Sequence, residues 1–156
     1  MRILHLLSQV KLSGSEVYAA NLCRRQMRDG HDCLIVSDTL SVDAEARYIP
    51  MAIHNRSWPN RLRNLLRLIA LVKRDRVDLI HAHSRAASWL ANIVARRTGI
   101  AYVSTVHGRQ FAHATSRRFN IYGGHIIAIC DDIGQQLHDE LHIRDVPIRV
   151  IPNGID

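Results

Sequence analysis

Short, almost purely aliphatic runs alternate with stretches of helical periodicity along the whole chain, and this alternation constrains the fold more than any other feature. Arg2–Leu7, His31–Val36, Val77–His83, Ile100–Val106, His125–Ile129 and Ile148–Ile151 read as strands. Their apolar residues are near-continuous rather than alternating, as in strands buried on both faces. Tyr48–Ile53 adds a short strand interrupted by Pro50. Between them, Ser15–Met27, Asn60–Arg74, Ala86–Arg97 and Asp131–Leu141 read as helices. Gly30 and Gly99 are placed to end two of these helices, and Pro59 to begin another. Strands separated by helices imply parallel pairing with helices on both faces, an α/β three-layer domain with a mainly parallel sheet.

Two helices carry a legible apolar stripe. Leu62, Leu65, Leu66, Ile69 and Val72 follow i, i+3, i+4, i+7 spacing and are expected to face inward. Arg63, Arg67 and Arg74 then form a basic stripe on the opposite side, with Arg56 and Arg61 nearby. Such a stripe is either a solvated face or a contact for an anionic membrane surface. In the next helix Leu90, Ile93 and Val94 are the inward residues.

With 156 residues the chain forms one domain that buries about two thirds of its unfolded surface. Aromatic residues are only 5%, so the core is aliphatic. A formal net charge of +7 calls for an anionic partner: nucleotide, phospholipid or nucleic acid. Nucleic acid is disfavoured, because few aromatics interleave with the basic residues and no groove-reading motif appears. Cys23, Cys33 and Cys130 form no CxxC pair, which suits free thiols in a reducing, cytoplasmic compartment. No secretory leader is read at the N-terminus, and the central apolar run Leu68–Val72 is far too short to span a bilayer.

Polar residues cluster where strands end. The first strand runs into a loop that closes with Ser13-Gly14-Ser15 at a helix start, where free amides and the helix dipole favour an anion. A tight strand–helix connection is the other reading of that loop. Ser84-Arg85 follows the third long strand, and Ser84 is equally suited to be an N-cap. His107-Gly108-Arg109 follows the next, as a ligand contact or as a structural histidine with a glycine turn. His81 and His83 share one side of a strand, but no third ligand of matching spacing appears, so no metal site is expected. No Asp-x-Asp and no pair of glutamates seven residues apart occurs; the glutamates are Glu16, Glu45 and Glu140.

In order and spacing, Ser13-Gly-Ser-Glu-Val17, Gly30-His31, Val77-Asp-Leu-Ile-His-Ala-His-Ser84, Ser104-Thr-Val-His-Gly108, Ile127-Ala-Ile129 and Val150-Ile-Pro-Asn-Gly-Ile-Asp156 resemble the N-terminal domain of GT-B-fold glycosyltransferases of family 4. The likeness covers essentially the whole chain. It implies a Rossmann-like domain, one half of a GT-B fold, that binds the acceptor and closes over the diphosphate of a nucleotide sugar. The implied enzyme is retaining and metal-independent and needs no cofactor. Its acceptor is a glycolipid or polysaccharide precursor at the inner face of the membrane.

The resemblance further implies that Gly14 and Ser15 approach the donor phosphate and that His107 reaches the transferring sugar. Ser84, Arg85, Gly108 and Arg109 would line the acceptor and sugar side. Residues 1–151 would be the domain, and 152–156, with Asn153 and Gly154, the start of the interdomain hinge. The family's donor-binding C-terminal domain would follow and lies outside these residues. The isolated chain is therefore expected to be inactive and to self-associate through its exposed cleft face. Where the family loop carries Gly-Gly, this chain has Ser13 first. A non-catalytic nucleotide- or anion-binding module and a membrane-surface adaptor are the competing readings.

Overall fold

Strand register, rather than local propensity, decides what meets what in this domain. The computed structural model describes residues 1–111 and 118–154. The described elements run β1 (Arg2–Leu6), α1 (Gly14–Arg28), β2 (Asp32–Ser37), β3 (Arg47–Pro50), α2 (Trp58–Arg74), β4 (Leu79–Ala82), α3 (Arg85–Thr98), β5 (Ala101–Val106), β6 (Ile126–Ala128), α4 (Asp131–Asp139) and β7 (Ile148–Val150). The strands form one sheet in the order β3-β2-β1-β4-β5-β6-β7, and every pairing is parallel. This is the α/β, Rossmann-like architecture expected from the alternation.

Because the central strands are buried on both sides, alternate residues serve two layers. Leu4, Leu6, Leu34, Val36, Ile80 and Ala82 pack against α2 and α3. Ile3, Cys33 and Ile35 face the other way, against Ala19, Ala20 and Cys23 of α1. Ile126 and Ala128 pack with Ile133 and Leu137 of α4. Ser13 and Ser84 cap α1 and α3, each side chain accepting from the amide three residues on. Gly99 closes α3 at φ 74°, a left-handed conformation that favours glycine. No helix among the described residues is long and apolar enough to cross a membrane.

The structure corrects the expected face of α2. Leu68, Leu71 and Val72 are buried, with Leu65 and Ile69 half-buried beside them, whereas Leu62 and Leu66 are 58% and 59% exposed. The cause is polar. Asn60 and Asn64 are buried, and both side-chain amides donate to the Ala52 carbonyl, at 2.7 and 2.8 Å. These bonds pin the first half of α2 to the preceding loop and turn Leu62 and Leu66 outward. The basic residues Arg63 and Arg67 therefore share the exposed surface with two leucines and do not oppose a leucine face. The β3 strand also differs from the expectation: it ends at Pro50 instead of spanning it, on the sheet edge, where a missing N–H breaks no central ladder.

Candidate functional site

The chain moves outward from β1 to β2 and β3 on one side, then from β4 onward on the other, so the order reverses between β1 and β4. The crevice beyond the carboxyl ends of strands at such a reversal is where open α/β sheets bind ligands. Here it is bounded by the loop after β1, by His83-Ser84 after β4 and by His107-Gly108 after β5.

The loop after β1 is organised by Gln9. Its Oε1 accepts from the hydroxyls of Ser13 and Ser15, at 2.5 and 3.1 Å, and its Nε2 donates to Glu16 at 2.9 Å. Glu16 is fully buried, and its other carboxylate oxygen accepts from the Ser41 amide, tying the loop to the segment after β2. Ser15 thus presents a hydroxyl already committed within the loop. Gly14 is different: its φ is not positive, and a Cβ there would meet nothing within 4 Å. Neither backbone strain nor internal packing asks for glycine at this position. Ser13 and Glu16 have the spacing of a capping box, the one sequence signal that could have marked Glu16 as more than a surface residue.

Behind this edge lies a chain of imidazoles. Register places His5 of β1 directly beside His81 of β4. His5 Nε2 meets Gln26 Oε1 at 2.8 Å, His5 Nδ1 meets His83 Nε2 at 3.0 Å, and His83 Nδ1 meets His107 Nε2 at 3.3 Å. The carboxamide oxygen of Gln26 can only accept, so His5 Nε2 carries a proton toward it. The contact of His107 in this chain is made by Nε2, and Nδ1 takes no part in it. Burial pushes His81 and His83 well below the usual histidine range, and it lowers His107 to about 4. His107 is therefore a neutral imidazole at physiological pH.

Tyr18 of α1 packs edge-on against His83 and His107, at 5.8 and 4.9 Å between ring centroids, and so joins the Gly14 helix to the end of β5. His81 bonds Thr105 Oγ1 at 2.7 Å. The rings of His5, His81 and His83 converge closely enough to hold a metal ion, as do His5, Cys23 and Cys33. Both nitrogens of His5 and of His83, however, already serve the hydrogen-bond chain. His5, Gln26 and Tyr18 were not legible as site residues, since only register and helix packing bring them to His83.

The remaining expected residues separate. Ser84 caps α3. Arg109 turns toward α4 and pairs with Asp132 at 2.8 Å and Glu140 at 2.7 Å. The Gly108 carbonyl accepts from Gln110 Nε2, and Gln110 and Gln136 exchange two bonds that lock this loop on α4. Arg85 lines a cavity of about 440 Å³ with Arg56, Arg61, Trp89, Phe119 and Ile121, on the α2–α3 side of the edge. Asn153 and Gly154 are exposed beyond β7; residues 155–156 of the expected hinge lie outside the described residues.

The profile of Glycosyltransferase Family 4 matches residues 12–156. An Escherichia coli protein, UDP-Gal:alpha-D-GlcNAc-diphosphoundecaprenol alpha-1,3-galactosyltransferase, is 28% identical over 134 residues, 78% of this chain and 34% of its own. The chain thus spans about a third of the length of this curated relative. A glycosyltransferase from Rickettsia africae superposes with a TM-score of 0.88 at 20% identity over 99% of this chain and 43% of its own. Anabaena Alr3699/HepE, in complex with UDP-glucose, gives 0.77 at 18% identity over 100% of this chain and 44% of its own. At these identities the two structures establish the fold.

Proposed function

The chain belongs to glycosyltransferase family 4, and from that premise we propose that it is the acceptor-side domain of a two-domain transferase. The enzyme moves a sugar from a nucleoside-diphosphate donor to a hydroxyl of a glycolipid or polysaccharide precursor. It does so with retention and without a metal. The observation that supports this reading is the packing of Tyr18, on the helix that Gly14 opens, against His107, whose ring is backed by buried imidazoles.

In this reading the start of α1 faces the donor diphosphate. The Glu16 and Val17 amides are taken by the Ser13 carbonyl, which leaves those of Gly14 and Ser15 for the ligand. The absence of a side chain at Gly14 lets phosphate oxygens approach the backbone. His107 accepts a hydrogen bond at Nδ1 from a hydroxyl of the transferring sugar and orients it; it is not the nucleophile. Arg109, paired twice with α4, shapes the loop that carries His107. A second domain closing over this edge excludes water and limits hydrolysis of the donor. Asn153 and Gly154 begin the connection to it.

The test is transfer by the two-domain enzyme. His107→Ala is expected to lower kcat on the order of 10²-fold, the usual loss when one oriented hydrogen bond at the reacting centre is removed. An unchanged kcat overturns the role of His107. Saturable nucleotide-sugar binding with no transfer to any acceptor leaves the non-catalytic module standing.

The exposed side of α2 supports a second element of the proposal, peripheral contact with the anionic cytoplasmic membrane face. Trp58, Leu62 and Leu66 are exposed there beside Arg63 and Arg67. Sedimentation with vesicles should rise with phosphatidylglycerol content; binding that ignores anionic lipid rejects it.

A further inference from the structure

Three arginines stand together on this domain without a counter-charge. Arg56, Arg61 and Arg85 line one cavity with Trp89 and Phe119, and no carboxylate is among its lining residues. Elsewhere Arg2, Arg25, Arg47, Arg74 and Arg109 each pair with an aspartate or glutamate. None of the three cavity arginines does so among the described residues. Arg85 Nη1 is buried without a hydrogen-bond partner, and the guanidinium that lines the cavity has the Tyr122 side chain beside it and no carboxylate. The cavity asks for an anion that accepts several bonds at once, as a phosphate or diphosphate does.

A second cavity, of about 450 Å³, adjoins the first and shares Arg61 and Trp89 with it. Its other lining residues are Trp58, Pro59, Leu62 and Leu65, so its wall is almost wholly apolar. The guanidinium of Arg61 lies over both indoles, 4.7 Å from Trp89 and 5.8 Å from Trp58, at the junction of the two cavities. Trp58 and Leu62, 74% and 58% exposed, both line this groove, so its apolar wall is open to water. A charged pocket opening into a hydrocarbon-lined groove matches an amphiphile with a phosphate at one end.

We infer that Arg56, Arg61 and Arg85 hold the phosphate of a lipid-linked acceptor and that Trp58, Leu62, Leu65 and Trp89 hold the first part of its hydrocarbon chain. The inference rests on the acceptor-side reading above and specifies the acceptor class: a sugar carried on a single long-chain phosphate or diphosphate ester. The pocket lies at the same sheet edge as His107, since Arg85 opens α3 directly after β4 and Arg56 precedes α2 after β3. A lipid phosphate seated there leaves its sugar at the edge where transfer takes place.

The chain reports on this site directly, because its two tryptophans, Trp58 and Trp89, both line the groove. Titration of the 156-residue chain with farnesyl diphosphate below its micellar range should change tryptophan fluorescence saturably. Inorganic pyrophosphate and farnesol should each bind about tenfold more weakly or worse, since each satisfies one cavity only. Arg85→Gln and Arg56→Gln should each weaken farnesyl diphosphate by about tenfold, the worth of a charge-assisted bond. Trp58→Ala, at an exposed position that the fold does not need, should weaken farnesyl diphosphate and leave pyrophosphate unchanged, with Trp89 as the remaining reporter.

Equal binding of pyrophosphate and farnesyl diphosphate overturns the inference in favour of a simple anion site. Equal binding of farnesol overturns it in favour of an apolar groove. A response confined to phosphatidylglycerol vesicles overturns it in favour of surface contact, and no response overturns it outright. None of these outcomes touches the nucleotide-sugar reading, which stands or falls on His107 and the donor.

Discussion

His107 differs from an ordinary loop histidine in what stands behind it. Two further imidazoles and a carboxamide, all in hydrogen-bond contact in series, hold its Nε2, and Tyr18 packs edge-on against its ring. The same burial makes the domain sensitive to acid. His81 and His83 bind a proton in the unfolded chain near pH 6.5, but only far below that when folded, and His107 only near 4. The unfolded state therefore takes up more protons below pH 6.5. Stability sits on a plateau above that value and is lost as the pH falls toward 4. Each such group contributes up to about 1.4 kcal/mol per pH unit inside the window. Thermal melts at pH 7 and pH 5 should show a marked fall in Tm, and His81→Phe should flatten it. A Tm that does not change between these values would contradict neutral buried imidazoles.

At the scale of elements, α2 carries the sharpest test. Leu68→Ala should destabilise by about 2–5 kcal/mol, because it opens a hole in the core under β1 and β4. Leu66→Ala should stay within about 0.5 kcal/mol, because Leu66 is in water. Equal losses in urea unfolding would mean that the helix faces the way its leucine spacing suggests. Read as a stripe, Leu62, Leu65, Leu66, Ile69 and Val72 are a fair apolar face, and nothing local contradicts them. Two asparagines bonding one distant carbonyl outweigh that pattern, and hydrophobic periodicity has no means of registering a buried amide. The strands were easier to read, because a strand buried on both faces is continuous in aliphatic residues.

At the scale of the whole molecule, the sheet edge remains exposed. Val10, Leu12 and Val17 around the Gly14 loop are 53%, 61% and 41% exposed, where a second domain would close. Sedimentation velocity over rising concentration should show self-association of the isolated chain, and Leu12→Ser should reduce it. A monomer at all concentrations, with the wild-type loop, would count against an apolar cleft face. The same exposure explains why the domain alone is expected to hold a nucleotide sugar weakly: one wall of a cleft supplies amides but does not exclude water.

Sequence by itself determined the α/β class, the parallel sheet, and the placing of Gly14, Ser84 and His107 at strand ends. These follow from short-range patterns, in which burial on both faces and backbone satisfaction leave few options. Tertiary structure alone decided that His5 backs His83 and His107, that Arg109 serves α4, and that Arg85 joins Arg56 and Arg61 beside two tryptophans. Those contacts depend on strand register and helix rotation, which are set by the packing of the whole domain.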